Sequence, residues 1–170
     1  MRCNMNIFEF AREKEKFSED YYRKLAKKTN NKGLKNICLM LAEEEMKHYK
    51  IVQDMQNNST QGLAKTSVIK DAQKIFESMK TAAEKFNFDI SEQELYKKAR
   101  DIEQQSIDFY LEKARETDNP YHKNIFTNLA EEEKKHYLLL DKICIFVERP
   151  KWFLENAEMY RFDDYAEGVL

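Results

Sequence analysis

The sequence predicts an all-α protein built on a four-helix bundle, and three observations support this prediction. The chain of 170 residues contains only three glycines and two prolines, and 35% of its residues are charged and 42% hydrophobic. Such a composition favours long helices with charged outer faces over sheets with many turns. Apolar residues also recur at helical spacing. Finally, the sequence repeats itself at a fixed offset without gaps, with each copy about the size of one helical hairpin.

The repeat relates the two halves of the chain at an offset of 88 positions. Identical Leu-Ala-Glu-Glu runs lead into Glu45-Met46-Lys47-His48 and Glu133-Lys134-Lys135-His136, which are 88 positions apart (133 − 45 and 136 − 48). Nine further residues recur at the same offset: Ala11, Glu15, Ser18, Asp20, Tyr22, Ala26, Lys35, Asn36 and Ile37 as Ala99, Glu103, Ser106, Asp108, Tyr110, Ala114, Lys123, Asn124 and Ile125. The sequence therefore predicts two hairpins, at about residues 5–57 and 91–147.

The first hairpin is predicted as helices from about residue 5 to 29 and from about 33 to 57, because Asn30, Asn31 and Gly33 form a break between them. A long connection then runs from Asn57 to Asp89. Within it, a helical spacing of apolar residues predicts one short crossover helix: Val68, Ala72, Ile75, Phe76 and Met79.

The second hairpin is predicted to begin at Ser91, whose side chain and that of Glu94 suit a capping box, and its first helix to end near Thr117. Asn119 and Pro120 suit the cap and first turn of a helix at about 120–147. Pro150 then separates a C-terminal tail, residues 148–170. Its aromatic residues predict packing onto the bundle or onto a homodimer partner: Trp152, Phe153, Tyr160, Phe162 and Tyr165.

The long connection predicts a single-crossover bundle over residues 1–147, in which one face of each helix points inward. On the first and third helices the inward columns are Ala11, Glu15, Ser18, Tyr22, Ala26 and Ala99, Glu103, Ser106, Tyr110, Ala114. On the second and fourth they are Cys38, Leu41, Glu45, His48, Val52 and Phe126, Leu129, Glu133, His136, Leu140. Four carboxylates and two imidazoles are therefore expected in the interior.

This inward set predicts a site for two metal ions. Four ionised carboxylates in an apolar interior would cost many kcal/mol unless they were compensated, and two divalent cations would balance them. Oxygen and imidazole ligands without thiolates suit iron or manganese. The competing interpretation, a solvated acidic helix face, is adopted for Glu43 and Glu44. It does not explain why two of the three histidines, His48 and His136, share one repeated frame.

Other classes of function are disfavoured by charge and by cysteine usage. The net charge is −2 with both signs interspersed, so nucleic acid and membrane partners are not expected. Without a signal-like or membrane-spanning apolar stretch, the protein is expected in the cytoplasm. Cys3, Cys38 and Cys144 form no Cys-x-x-Cys motif, and the latter two are expected in the core. His122, which lacks a carboxylate at ligand spacing, is expected at the surface.

The patterns Glu-x6-Tyr-x3-Ala and Leu-x3-Glu-x2-His, seen at Glu15 to Ala26 and Leu41 to His48 and repeated in the second half, are similar to those of the ferritin-like di-iron carboxylate proteins. Over about residues 7–147 the chain most closely resembles the rubrerythrin group. The resemblance implies that Glu45 and Glu133 bridge two iron ions, with manganese as the alternative metal. It implies that Glu15 and Glu103 are terminal ligands and that His48 and His136 each complete one metal.

Tyr22 and Tyr110 match the tyrosines whose hydroxyls orient ligating carboxylates in that family, and the alternative is that they are ordinary core aromatics. The resemblance implies a non-haem di-iron oxidoreductase that reduces hydrogen peroxide or dioxygen. The chain lacks the four cysteine ligands of a rubredoxin domain, so electrons would come from an external protein such as a rubredoxin. It also departs from the pattern at Ser106, where the group carries an additional glutamate. An iron-binding, ferroxidase or storage protein and a metal-free helical interaction module remain the alternatives.

Overall fold

Helices account for most of residues 6–59 and 65–161, the parts of the chain that the computed structural model describes. The elements in order are α1 (Ile7–Lys28), α2 (Lys32–Gln56), α3 (Val68–Met79), α4 (Ile90–Glu116), α5 (Pro120–Glu148) and α6 (Pro150–Glu155). Short 3-10 helices follow α3 (Lys80–Lys85) and α6 (Ala157–Met159). No strand occurs in the described ranges, and the prediction of an all-α bundle with one short crossover helix is confirmed.

Side-chain caps fix where the long helices begin. Asn31 accepts a hydrogen bond from the amide of Leu34 at the start of α2, and Asn119 caps α5 as predicted, with Pro120 in the first turn. The predicted capping box at Ser91 is wrong, because Asp89 caps α4 by accepting the amide of Glu92 at 2.8 Å. The hydroxyl of Ser91 donates instead to the Asp89 carboxylate, so α4 begins one residue earlier than predicted.

The long helices form two antiparallel hairpins, α1 with α2 and α4 with α5, which α3 connects by packing against α2 and α5. Tyr22 of α1 bonds to Glu103 of α4, while Tyr110 bonds to Glu15, so α1 and α4 run in opposite directions. Because α1 is also antiparallel to α2, the helices α2 and α4 run parallel, as the single-crossover topology requires. Every residue of the four predicted inward columns is at most 5% exposed.

The described part of the C-terminal tail packs on the bundle. Phe153 of α6 is fully buried, with its ring 5.0 Å from that of Phe76 in α3 and 5.5 Å from that of Phe146 in α5. Tyr160 is buried beside them, whereas Trp152 is 45% exposed. Phe162 and Tyr165 lie outside the described residues. The homodimer contact therefore stays a prediction.

Two expectations about single residues can be compared with the structure directly. Cys38 and Cys144 are buried free thiols, as predicted, while Cys3 lies outside the described residues. His122 is half-buried, so it lies at the surface only in part: its ring packs 5.4 Å from that of Phe8 on α1 and its Nε2 atom is buried. Within the described ranges, no helix is long and apolar enough to cross a membrane.

Candidate metal centre

Six buried ligand-type side chains meet at the centre of the bundle in two overlapping groups. The first group contains Glu15, Glu45, His48 and Glu133, and the second contains Glu45, Glu103, Glu133 and His136. Within each group, one ligand atom from every member lies within 4.8 Å of the others. All six side chains are at most 2% exposed. Glu45 and Glu133 therefore belong to both groups, whereas Glu15 and Glu103 belong to one each.

The local helical geometry explains how each histidine joins a carboxylate of its own helix. Residues three apart lie one turn apart on the same helix face, so Glu45 and His48 of α2 are directed to the same side of their helix. The same holds for Glu133 and His136 of α5. Because the repeat places both pairs at the same depth, the two imidazole rings stack in the middle. Their centroids are 5.4 Å apart with an interplanar angle of 14°.

Each imidazole also contacts a carboxylate of the opposite hairpin. His48 Nδ1 lies 3.0 Å from Glu133 Oε1, 3.7 Å from Glu15 Oε2 and 3.9 Å from Glu45 Oε2. His136 Nδ1 lies 2.9 Å from Glu45 Oε1, 3.1 Å from Glu133 Oε2 and 3.9 Å from Glu103 Oε1. The Nδ1 atoms are thus the ring nitrogens that face the carboxylates.

Two tyrosine hydroxyls hold the carboxylates that belong to only one group. The hydroxyl of Tyr22 donates to Glu103 Oε1, and the hydroxyl of Tyr110 donates to Glu15 Oε1. Both tyrosines are at most 1% exposed. Burial and the neighbouring Glu15 carboxylate raise the pKa of Tyr110, so its hydroxyl remains a proton donor. Both hydroxyls therefore contact the carboxylates that the resemblance implies they orient, and that role stays a prediction.

The pKa values of the carboxyl and imidazole groups in the cluster are shifted because these groups are buried and lie close to one another. Burial and the adjacent Glu133 raise the pKa values of Glu45 and Glu103 well above the ordinary glutamate value. Burial would also raise the pKa of Glu133, but the two histidines outweigh this effect and lower it. For His136 burial favours the neutral form, yet Glu133 and Glu103 raise its pKa to about 9. Without metal, the cluster compensates its charge by holding protons.

The donor set fits a pair of divalent cations. The Oε2 atoms of Glu45 and Glu103 are buried and make no hydrogen bond within the described residues. A buried polar atom without a partner costs free energy, and coordination to a cation would remove that cost. The donors are carboxylate oxygens and imidazole nitrogens without sulfur, which suits iron or manganese. The sharing of Glu45 and Glu133 matches the bridging role that the resemblance implies for them, and that role stays a prediction.

Sequence reasoning missed a second pair of buried carboxylates, one on α2 and one on α5. Glu44 and its repeat mate Glu132 are 8% and 5% exposed, so the expectation of a solvated Glu44 is wrong. Each pairs with the lysine three residues on, Lys47 at 2.7 Å and Lys135 at 2.8 Å. Burial raises the pKa of Glu44, but hydrogen bonds from Lys47 and Thr66 and the nearby positive charges together outweigh burial, so the net shift is downward. The repeated Glu-x2-Lys spacing was the available signal.

The expectation for Glu43 agrees with the structure. Its side chain is 64% exposed and lies 3.0 Å from the guanidinium of Arg23. The solvated acidic face therefore consists of the first glutamate of the run, while the next two turn inward to different partners.

Comparison with known proteins assigns the family. A family model described as Rubrerythrin matches residues 6–144, a range that includes all six ligand-type residues and both tyrosines. No curated protein and no solved structure matches the chain. The family implies iron binding, and the two buried groups could hold the metal. The match covers most of the 170 residues, so the chain belongs to the rubrerythrin family.

Proposed function

We propose that this chain is a non-haem di-iron oxidoreductase that reduces hydrogen peroxide, or dioxygen, with electrons from an external protein such as a rubredoxin. The observation that carries the proposal is the sharing of Glu45 and Glu133 between two buried ligand groups. Carboxylates that belong to both groups would hold two ions close enough to act on one small molecule. The family match supports iron as the metal.

Each protein group has a definite task in this proposal. Glu45 and Glu133 would bridge the ions, Glu15 and Glu103 would each bind one, and His48 and His136 would complete one ion each. The hydroxyls of Tyr22 and Tyr110 keep the two terminal carboxylates in one orientation. Burial of all six ligands excludes bulk water and strengthens electrostatic contacts inside the site.

The reduction of peroxide balances as one H₂O₂, two electrons and two protons giving two waters. An iron pair bound here would supply both electrons, one from each ion, and would polarise the O–O bond. Burial raises the pKa of Cys38 to about 12 and that of Cys144 to about 11, so these thiols stay protonated and are poor electron donors. We therefore assign the resupply of electrons to a separate protein.

The decisive experiment mixes iron-loaded, anaerobically reduced protein with peroxide or with dioxygen in a stopped-flow spectrometer. We expect one peroxide to oxidise two ferrous ions per chain, faster than it oxidises free ferrous iron in the same buffer. Glu45→Gln should lose this reaction, while Glu43→Gln, which changes an exposed glutamate of the same run, should retain it. Oxidation no faster than that of free ferrous iron would contradict the proposal.

The same preparation separates the two alternative functions. Iron storage requires a large assembly, whereas we propose a homodimer of about 41 kDa (2 × 20.4 kDa). Size-exclusion chromatography measures which is present. A metal content of about two ions per chain, as expected of a di-metal bundle, would exclude the metal-free interaction module.

A further inference from the structure

A groove between α1 and α4 is lined by two serines, Ser18 and Ser106, that lie one helical turn from Glu15 and Glu103 of the candidate metal centre. Its volume is about 280 Å³, and both helices line it. Phe10 and Phe17, which are 45% and 57% exposed, lie at its outer side. Ser18 and Ser106, which are 2% and 3% exposed, form its deepest part. Water occupies about 30 Å³ per molecule in the liquid, so the groove has room for a small molecule.

The two serines are repeat mates, and each follows a ligand-type glutamate by one helical turn. Ser18 follows Glu15 and Ser106 follows Glu103, so each serine lies on the same helix face as its glutamate. Buried hydroxyls usually have a hydrogen-bond partner, and a serine within a helix commonly bonds to the carbonyl four residues before it. Neither hydroxyl makes a hydrogen bond to any group in the described parts of the chain. Both are free to bond a molecule in the groove.

The opposite side of the site offers less access over the described residues. Between α2 and α5, the amide of Thr66 bonds to Glu132 at 3.2 Å, which ties the crossover connection to α5. Lys47 and Lys135 pair there with the buried carboxylates of Glu44 and Glu132. A small molecule would therefore approach more easily between α1 and α4, where Ser18 and Ser106 line the groove one helical turn from Glu15 and Glu103.

We propose that this groove admits a small neutral oxidant, and that the hydroxyls of Ser18 and Ser106 position it at the inner end. Hydrogen peroxide both donates and accepts hydrogen bonds, and so does a serine hydroxyl. The outer lining is mixed, with Phe10 and Phe17 beside Glu13, Lys14 and Gln105, and an uncharged polar molecule can contact it without losing the hydration of a charge. Ser18 and Ser106 act as positioning residues, because the chemistry belongs to the metal centre. This inference rests on the proposed function for the identity of the oxidant.

Access is tested on the full-length chain without metal, so the result is independent of peroxide chemistry. In a Cys3→Ser background, Ser106→Cys is exposed to the small neutral reagent methyl methanethiosulfonate. The matched control is Ala114→Cys, which lies on the same helix, is 5% exposed and does not line the groove. We expect labelling of Ser106→Cys at least tenfold faster than that of the control. Cys38 and Cys144 should stay unlabelled because both are buried and neither lines the groove.

Narrowing the groove provides the second arm of this test. Ile102→Trp, added to Ser106→Cys, should slow labelling because Ile102 lines the groove, while Leu111→Trp on the same helix should leave the rate unchanged. Circular dichroism verifies that every variant is helical. Labelling of Ser106→Cys no faster than that of Ala114→Cys, or a rate that Ile102→Trp leaves unaltered, would overturn the access route.

The role of the hydroxyls is tested on iron-loaded protein with the double variant Ser18→Ala/Ser106→Ala. This change keeps the groove open and removes both hydrogen-bonding groups. Loss of both hydrogen bonds should raise the KM for peroxide roughly 30-fold, with kcat and iron content unchanged. An unchanged KM would overturn the positioning role. Failure of the peroxide reaction itself, with labelling still fast at Ser106→Cys, would reject the proposed function and leave the groove in place.

Discussion

Glu45 and Glu15 differ in how many ligand groups they complete, and this difference predicts unequal effects of mutation. Glu45 belongs to both groups and Glu15 to only one. Replacing a carboxylate by an amide keeps the shape and removes the charge that holds a cation. We therefore expect Glu45→Gln to lose both ions and Glu15→Gln to keep about one, as measured by elemental analysis after gel filtration. Equal losses in the two variants would contradict the shared-ligand arrangement.

The tyrosine hydroxyls provide a second prediction about single residues. Tyr22→Phe and Tyr110→Phe each remove one hydrogen bond to a terminal carboxylate. Removing such an outer contact typically lowers metal affinity about 10- to 100-fold, so both variants should fold and bind metal more weakly in a chelator competition. Tyr96→Phe is the matched control, because Tyr96 is also fully buried but its hydroxyl bonds to none of the six ligand-type residues. A Tyr96→Phe loss as large as the others would assign the effect to packing.

The environment of a residue could be predicted from the sequence where local spacing determines it, and not where contacts with distant segments do. The six ligand-type residues were predictable, because a spacing of three on one helix and the 88-residue repeat are both written in the chain. The burial of Glu44 and the contact of His122 with Phe8 were not predictable in this way. Glu44 is buried beside Lys47 and Thr66 of the crossover connection, and the half-buried His122 packs against Phe8 of another helix. Both outcomes depend on tertiary neighbours that local spacing does not specify.

Among the helices, α4 has two candidate N-cap residues, Asp89 and Ser91, whose contributions to stability can be compared. Asp89 accepts the amide of Glu92, whereas Ser91 donates its hydroxyl to Asp89. Removing an N-cap side chain typically costs about 1 kcal/mol, so Asp89→Ala should lower the free energy of unfolding by about that amount. Ser91→Ala removes only an exposed contact and should cost a few tenths of a kcal/mol at most. Urea unfolding of the two variants measures this difference, and a larger effect for Ser91→Ala would restore Ser91 as the cap.

The helix boundaries show which parts of an element the sequence determines. The helical stretches were predicted to within a few residues, because apolar periodicity and the Asn31 and Asn119 caps are local. At α4, two capping residues compete within three positions. Asp89 is selected because its carboxylate is a charged acceptor at the positive end of the helix dipole. The short helix α6 depends on Phe153 finding Phe76 and Phe146, a contact between distant segments.

For the whole molecule, the repeat explains why one bundle could hold two ions. Each hairpin supplies one terminal glutamate, one shared glutamate and one histidine, and the pseudo-two-fold arrangement brings them to a common depth. The exchange of contacts across the bundle, with each tyrosine and each histidine bonded to the opposite hairpin, ties the halves together through the site. Metal binding and stability of the bundle should therefore depend on each other.

This coupling predicts opposite effects of pH on the metal-free and metal-loaded protein. The pKa of His136 is raised from 6.5 to about 9 in the folded metal-free chain, and that of His48 is raised as well. A raised pKa contributes stability that is fully present below about pH 6.5 and is lost as the pH rises through about 9. For His136 the difference corresponds to roughly 3 kcal/mol at most. The raised pKa values of Glu45 and Glu103 act with the same sign, because these carboxyls keep protons in the folded chain and release them on unfolding.

We therefore expect the Tm of chelator-treated protein, measured by circular dichroism, to fall between pH 6.5 and pH 9. Divalent metal competes with these protons for the same atoms, so binding releases protons and its apparent affinity rises with pH. The increase in Tm on adding Mn²⁺ should consequently be larger at pH 9 than at pH 6.5. His136→Gln should flatten the pH dependence of the metal-free protein. A Tm shift on metal addition that shrinks at pH 9 would mean that the ions bind elsewhere, because only ligands that hold protons in the metal-free fold give this increase.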